Sequence, residues 1–518
     1  MPPRPRSSPV IPHSEFRWVA LAALAAVLLS SLPFLVVALS TPPDLRFGAL
    51  LVNPIDGQTY LAKMRQGYEG SWLFRLPYTY NDEADAILLT YHLGLGHIAR
   101  ITRLPLTAVY HAARIIGGWV LLVVAYVLLA RVFDATAERQ RAWWFVALTS
   151  GLGWVGLSGT DLTIPESNTF FAVLTNAHFA LAMALMAAIF MAVIDGSVLV
   201  AVLASVALAV LQPFAPIAVF AALGAFLLLR WARPPEDERG RTFPMRQARA
   251  VLAAGLIMTP LMLYFYLVTQ RDPILQGWTA QNVTPSPQVG EYLIGYGVMS
   301  ILAIPGARFA LKRGRDADVM LVAWAVTSAL LLYAPFALQR RFSLGLHIPV
   351  VLLGGVGLMY VLAPRFRGRA ARGLPIIVFA ISLPSTLLLL LATSTASFVQ
   401  PPDARLFVTA DEATSFQWLH ENVPHESVVI AAPETGLFLP GWAGVRVLYG
   451  HPFETLDAEK RKATVEQFFS SSVDRAGVIR DYGVDFIFFG PHERKLGAPE
   501  PEWEAAFVAG NVAIYKAP

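Results

Sequence analysis

The run Trp18-Val-Ala-Leu-Ala-Ala-Leu-Ala-Ala-Val-Leu-Leu-Ser-Ser-Leu-Pro-Phe-Leu-Val-Val-Ala-Leu39 contains no charged residue. As a helix rising about 1.5 Å per residue, it is long enough to cross the roughly 30 Å of hydrocarbon in a bilayer. A secretory signal with a cleavage point near Ala38 and Ser40 is the competing reading, but the run exceeds the roughly 7–15 apolar residues of a signal core. It therefore reads as a first membrane span. Its preceding segment, with Arg4, Arg6 and Arg17, is expected to stay in the cytoplasm.

Working outward, the whole chain has the same character. Of 518 residues, 55% are hydrophobic and 15% are charged, against roughly 25% charged in a soluble domain. Further apolar runs lie at Val109–Phe133, Trp143–Leu157, His178–Ile194, Val198–Leu211 and Phe214–Trp231, then at Ala250–Val268, Tyr292–Leu311, Val319–Phe336, Leu346–Leu362 and Leu374–Thr393. With the first, the expectation is a polytopic α-helical membrane protein of about eleven spans. Several runs contain proline, at Pro213, Pro216, Pro260 and Pro305, which neighbouring helices tolerate by satisfying the freed backbone groups.

Basic residues collect in alternate loops, as expected where short cytoplasmic loops retain Arg and Lys. One side takes Arg131, Arg139 and Arg141; Arg230, Arg233, Arg239, Arg241, Arg246 and Arg249; Lys312, Arg313 and Arg315; and Arg365, Arg367, Arg369 and Arg372. The other takes Ser40–Ala108, Gly159–Ala177 and Arg271–Glu291. This pattern places residues 1–393 in a transmembrane module of the inner or plasma membrane, with residues 394–518 as an extracytoplasmic domain. Within that domain, Asp411–Glu421 and Asp457–Phe469 read as helices, and Ser427–Ala431, Asp485–Phe489 and Asn511–Tyr515 as strands. The alternation predicts a small soluble α/β layer domain.

The chain has no cysteine, which excludes disulfides, thiolate nucleophiles and Cys-ligated metals. No glycine-rich nucleotide fingerprint or phosphate loop stands out, and no nucleic-acid partner is expected. Any chemistry must rest on carboxylates, His, Arg or Tyr.

About 65 residues separate the first two spans, far more than a connection needs. This loop, residues 40–108, contains Asn53-Pro-Ile-Asp56-Gly-Gln-Thr-Tyr60, then Lys63, Arg65 and Trp72. A semi-apolar helix over Ile87–Ile101 follows, suited to an interfacial position with Leu88, Leu89, Leu93 and Leu95 toward lipid or the bundle. A carboxylate at Asp56 can accept a proton or orient a cation beside a lipid headgroup; the bland reading makes it a helix N-cap. Gln339-Arg340-Arg341-Phe342 puts positive charge where the inside rule disfavours it. Paired guanidiniums fit phosphate oxygens in a forked geometry, with snorkelling to headgroups as the alternative. His347 follows closely enough to join them. Arg114 reads as either a ligand contact or a structural ion pair. Trp278, Asn282 and Tyr292 suit either a sugar-covering loop or an interfacial aromatic belt. Gly436–Tyr449 and His451 read first as turn structure.

A first span, a long outer loop with an early Asp and two helices along the membrane, and a bundle ending in an outer domain together resemble the C-type glycosyltransferase (GT-C) superfold. Its members include oligosaccharyltransferases, protein mannosyltransferases and aminoarabinose transferases, which use polyprenyl-phosphate-linked sugars. The resemblance implies that Asp56 is the catalytic carboxylate, with Tyr60 and Arg65 lining its cleft. It implies that Asp161-Leu-Thr-Ile-Pro-Glu166 is the second acidic loop, and that Asn176-Ala-His178-Phe179 opens the following span. Ala177 stands where the superfold has Pro, and the loop has no Asp-Xaa-Asp. Asp161 and Glu166, with Asp56, are candidate ligands for a hard cation, Mg or Mn; simple solvation is the alternative. The resemblance also places an Arg near Arg340 and Arg341 to hold the lipid phosphate.

The expected function is transfer of a sugar from a polyprenyl-phosphate carrier to a lipid, glycan or protein acceptor outside the cytoplasm. Two rivals are a transporter or flippase and a non-enzymatic envelope assembly protein. Against the first, no matching pair of Gly/Pro-interrupted halves signals an inverted repeat.

Overall fold

The structure is a computed structural model describing residues 11–81, 85–233, 243–470, 474–497 and 503–518. Arg4, Arg6, Arg239 and Arg241 lie outside the described residues. The chain divides into two compact units: residues 1–32, 113–264 and 284–392 in the first, and residues 33–112, 265–283 and 393–518 in the second. The expected boundary at residue 393 thus captures only part of the division, because the first outer loop folds with the C-terminal segment rather than with the bundle.

The first unit is helical. Among the described residues of the whole chain, eight helices are long and apolar enough to cross a membrane: His13–Ser40, Leu106–Val132, Ala177–Ile194, Ala215–Ala232, Met245–Arg271, Val289–Arg313, Gln339–Arg365 and Arg369–Ser394. The chain is a multi-pass membrane protein. The other three of the eleven expected runs form shorter helices, Thr136–Leu148, Val198–Leu211 and Asp316–Leu331. At 13, 14 and 16 residues they reach only about 20–24 Å. The predicted run Trp143–Leu157 stops early because the backbone leaves the helix at Thr149, in an extended conformation, and Asp161 then gathers the amides of the following loop.

Ion pairs tie together the loops that the charge pattern assigned to one side. Arg139 meets Glu15 at 2.7 Å, Arg131 meets Asp195 at 2.5 Å, and Arg230 meets Asp316 at 2.7 Å. Arg313 and Arg315 each reach an acid at 2.6 Å, Asp318 and Asp134 respectively. Each arginine therefore cross-links helix ends within this unit instead of standing alone as a topology signal.

The second unit is built on a five-stranded sheet with strand order β4-β3-β5-β7-β6. These are β3 (Val428–Ile430), β4 (Arg446–Val447), β5 (Phe486–Phe489), β6 (Ala505–Ala509) and β7 (Val512–Lys516). β3 pairs parallel with β4 and β5, whereas β7 is antiparallel to both β5 and β6. Central strands buried on both faces need continuous apolar runs, and Val428–Ile430 and Phe486–Phe489 supply them. All five predicted elements of this segment are present, within one or two residues of their expected ends. The helix Ala410–Asn422 starts at a capping box, in which Glu412 N–H donates to Thr409 Oγ1 (3.2 Å) and Thr409 N–H to Glu412 Oε2 (2.7 Å).

Two features join the first outer loop to this domain. Strand β1 (Leu45–Phe47) pairs antiparallel with β2 (Phe407–Thr409). The helix Pro54–Glu69 also contributes Ala62 to the core formed by Phe416, Val429, Phe438 and Phe488.

The expected interfacial helix is Thr90–Thr102, with His92, Leu93, Leu95, Gly96 and Ala99 buried. It crosses Pro54–Glu69 at two glycines: a Cβ on Gly67 would meet Leu93 O at 2.0 Å, and one on Gly96 would meet Met64 O at 2.0 Å. Neither carbonyl can retreat without moving its helix. Gly67→Ala or Gly96→Ala is therefore expected to destabilise the protein by about 1–3 kcal/mol or more. Thermal unfolding in detergent checks this, and an unchanged midpoint for both variants would refute the close crossing.

Candidate functional site

The helix Pro54–Glu69 carries the predicted carboxylate. Asn53, in the left-handed region at φ 47°, is its N-cap, and Pro54 opens the first turn. Asp56 is thus the third helical residue rather than the cap. Its charge lies where the positive end of the helix dipole favours it. The side chain is 50% exposed.

Facing Asp56 is His451, whose Nε2 lies 3.5 Å from Asp56 Oδ1. Nδ1 of His451 accepts from the amides of Phe453 (3.0 Å) and Glu454 (3.1 Å). Two donors on Nδ1 require a lone pair there, so the neutral ring's N–H is on Nε2, the nitrogen 3.5 Å from the carboxylate. Two helical turns beyond Asp56, Lys63 forms a buried ion pair with Glu454 at 2.9 Å and reaches Thr59 Oγ1 at 3.3 Å. Tyr60, on the same helix, stacks on His92 with ring centroids 4.7 Å apart and planes 6° apart. Asp56, Thr59, Tyr60 and Lys63 have the three- and four-residue spacing of one helix face. That spacing was the available signal for Lys63; nothing in the sequence marked Glu454.

Arg65 points elsewhere. Its Nε donates to Gly441 O at 3.1 Å and its Nη2 to Trp442 O at 3.0 Å, so it staples this helix to the C-terminal domain. Trp278 packs on Phe74, with centroids 5.9 Å apart, within a cluster that includes Leu275. Asn282 donates to Phe453 O at 3.2 Å.

Arg340 and Arg341 belong to the first unit, in the short 3-10 helix Gln339–Ser343. The backbone there is held by Thr284: Arg340 N–H donates to Thr284 O (3.0 Å), and Thr284 N–H donates to Ala337 O (2.7 Å). Arg340 Nε lies 3.5 Å from Glu166 Oε1. The arginine side chain is 39% exposed, whereas Glu166 is buried. The guanidinium is thus anchored from behind and still offers donors outward. Arg341 lies over the Phe214 ring, 5.6 Å from its centroid.

Other predicted residues of this unit lie buried among their own chain's groups. His347 is buried and shares a 2.8 Å hydrogen bond with Thr169 Oγ1. His178 is the second residue of Ala177–Ile194, buried edge-on to Phe179. Arg114 is buried, donating to Ser30 Oγ (3.2 Å), Ser31 Oγ (2.8 Å) and Val173 O (3.0 Å). Tyr292 is buried, with its hydroxyl 3.2 Å from Ser286 Oγ.

Asp161 is fully buried, and its Oδ2 accepts from the amides of Gly151 (2.9 Å) and Gly153 (3.2 Å). Burial pushes its carboxyl above the usual range, while Ser385 and these amides oppose the shift. Asp161 therefore organises its own loop, and Glu166 faces Arg340. Asp161→Ala would leave two buried amides without acceptors, costing about 1–3 kcal/mol for each. A lowered thermal midpoint in detergent is the expected readout; an unchanged one would show that the loop holds without the carboxylate.

The fold matches that of ArnT from Cupriavidus metallidurans bound to undecaprenyl phosphate, with a TM-score of 0.52 and 15% identity over 95% of this chain and 97% of that one. The apo form of the same protein gives 0.52 and 14% identity over 96% and 98%. The arabinofuranosyltransferase AftD from mycobacteria gives 0.48 and 15% identity over 96% of this chain and 40% of that one. No protein-family model matches the chain, and no curated protein matches it by sequence. The likeness to ArnT bears out the GT-C-like fold read from the first loop.

Proposed function

We propose that this chain is a membrane glycosyltransferase that moves a sugar from a polyprenyl-phosphate carrier to an acceptor hydroxyl or amine on the extracytoplasmic face. The observation that carries the reading is the half-exposed Asp56, set on the first turn of its helix with His451 Nε2 3.5 Å away. A carboxylate so placed accepts the acceptor's proton as its oxygen or nitrogen attacks the anomeric carbon. The bond from that carbon to the phosphate oxygen breaks, and the polyprenyl phosphate leaves with an added negative charge. Arg340 and Arg341 supply fixed positive donors suited to that charge. The likeness to a protein solved with undecaprenyl phosphate supports a lipid phosphate as the leaving group. The basic loop ends and the apolar helices support a C-terminal domain outside the cytoplasm.

The test is release of undecaprenyl phosphate from undecaprenyl-phosphate-linked sugars by the purified full chain, with envelope lipids and glycans as acceptors. Arg340→Ala and Arg341→Ala are each expected to lower kcat/KM by about 10- to 100-fold, the equivalent of one charged hydrogen bond. Failure to release lipid phosphate above a protein-free control with any linked sugar would overturn the proposal. Undiminished turnover in both variants would remove the arginines from it.

A further inference from the structure

The helix Pro54–Glu69 ends in a carboxylate at its C-terminal turn, where the negative end of the helix dipole disfavours one. Oε1 of Glu69 is buried and accepts no hydrogen bond. The basic atom facing it is Nδ1 of His425, at 3.5 Å. His420 stands on the last turn of Ala410–Asn422, its ring 5.6 Å from that of His425 and inclined by 30°. One donor atom from each of Glu69, His420 and His425 lies within 4.8 Å of the other two. Gly444, at φ +80°, forms the wall: a Cβ there would stand 2.3 Å from Glu69 Oε1 and 3.0 Å from His425 Nδ1. The space around the three groups is therefore kept open by a residue that only glycine fills easily.

The donor chemistry is that of a cation site. His420 Nδ1 lies 3.3 Å from Ala443 O, so it carries the proton and Nε2 holds the lone pair. An imidazole whose second nitrogen donates to a backbone carbonyl is the usual orientation of a metal-ligating histidine. Burial, with the nearby Arg65 guanidinium, holds both imidazoles below their usual range and so in the neutral ligand form. Burial pushes Glu69 up to about 8, against the pull of the Arg65 guanidinium. Nε and Nη2 of Arg65 donate to Gly441 and Trp442, and its Nη1 lies 3.5 Å from His420 Nε2, a contact that an ion would replace. Glu426, another neighbouring charge, pairs with Arg75 at 2.6 Å. A cavity of about 410 Å³ is lined by His420 together with Arg46, Arg65 and Trp442.

We propose that Glu69, His420 and His425 bind a borderline divalent cation, with zinc the best match to two imidazoles and one carboxylate. Zinc–nitrogen and zinc–oxygen bonds of about 2.0–2.2 Å in a tetrahedron set ligand atoms about 3.4 Å apart, and the Glu69–His425 edge is already 3.5 Å. A side-chain adjustment of His420 completes the set, with water in the fourth position. The ion would tie the far end of the Asp56 helix to the C-terminal domain.

The test uses the full chain purified without a histidine tag, stripped with a chelator and titrated with zinc against a chromophoric competitor. One zinc per chain is expected, weakened about 100-fold or more in Glu69→Gln and in His425→Asn, since losing a ligand costs at least as much as losing its supporting hydrogen bond. Cobalt added to the wild-type protein is expected to give the intense visible bands of tetrahedral coordination. Wild-type zinc affinity no greater than that of a His420→Asn/His425→Asn double variant would overturn the site. Pale octahedral cobalt in the wild-type protein would do so independently of how any variant folds.

Discussion

Asp56→Asn is expected to reduce sugar transfer by about 10²- to 10⁴-fold, the range in which a positioned proton acceptor contributes to catalysis. Asn keeps the size and an acceptor oxygen but cannot take a proton at working pH. The structural cost of the change is small: the residue is half-exposed and third in its helix, so the lost dipole interaction amounts to about 0.3–1 kcal/mol. His451 does not depend on Asp56 for its orientation, because two backbone amides hold Nδ1. The variant should therefore elute and melt much like the parent, and the loss should appear in kcat. Initial rates of undecaprenyl phosphate release for the two proteins, at saturating donor, decide the matter. Activity within twofold of the parent would remove Asp56 from the reaction.

Glu454→Ala is expected to cost about 3–5 kcal/mol, because it strands a buried ammonium. The Lys63 and Glu454 side chains are 4% and 11% exposed and 2.9 Å apart. Lys63 has other neighbours, Thr59 Oγ1 at 3.3 Å and the rings of Tyr60 and Phe74 at 5.7 and 5.8 Å, yet none carries a compensating full charge. A Lys63→Met/Glu454→Leu double variant should recover much of the loss, since an apolar pair of similar volume removes the desolvation cost along with the attraction. A double-mutant cycle from denaturant or thermal unfolding measures the coupling. Strict additivity would mean that the two groups act separately. Because Lys63 shares its helix with Asp56, the Glu454→Ala protein is also expected to lose transfer activity, and the double variant to regain part of it.

Much of the architecture was legible from residue types alone. Apolar runs identify spans because hydrocarbon leaves a backbone no partners but its own, and the periodicity of residues 410–516 located its helices and strands with small errors. Asp56 could be singled out because a carboxylate early in a long loop beside a membrane can accept a proton, although the same position also suits a helix cap. The span count was less legible. Whether the run at Trp143–Leu157 continues as a helix depends on Asp161 taking the Gly151 and Gly153 amides, a contact that no hydropathy window contains. The contacts of Arg65 and His347 were illegible for a similar reason: a polar side chain looks alike in sequence whether it meets a ligand or a carbonyl or hydroxyl of its own chain.

Composition and periodicity thus determined that this chain spans a membrane many times and closes with a mixed sheet domain, because transfer of side chains into lipid and alternation across a strand are local properties. Tertiary structure alone decided that the first outer loop folds with the C-terminal segment. It likewise decided that His451 meets Asp56 and that Glu454, 391 residues away, neutralises Lys63. Those pairings arise from the burial of charge and the sharing of hydrogen bonds between distant segments, and such energies exist only once the chain has brought the groups together.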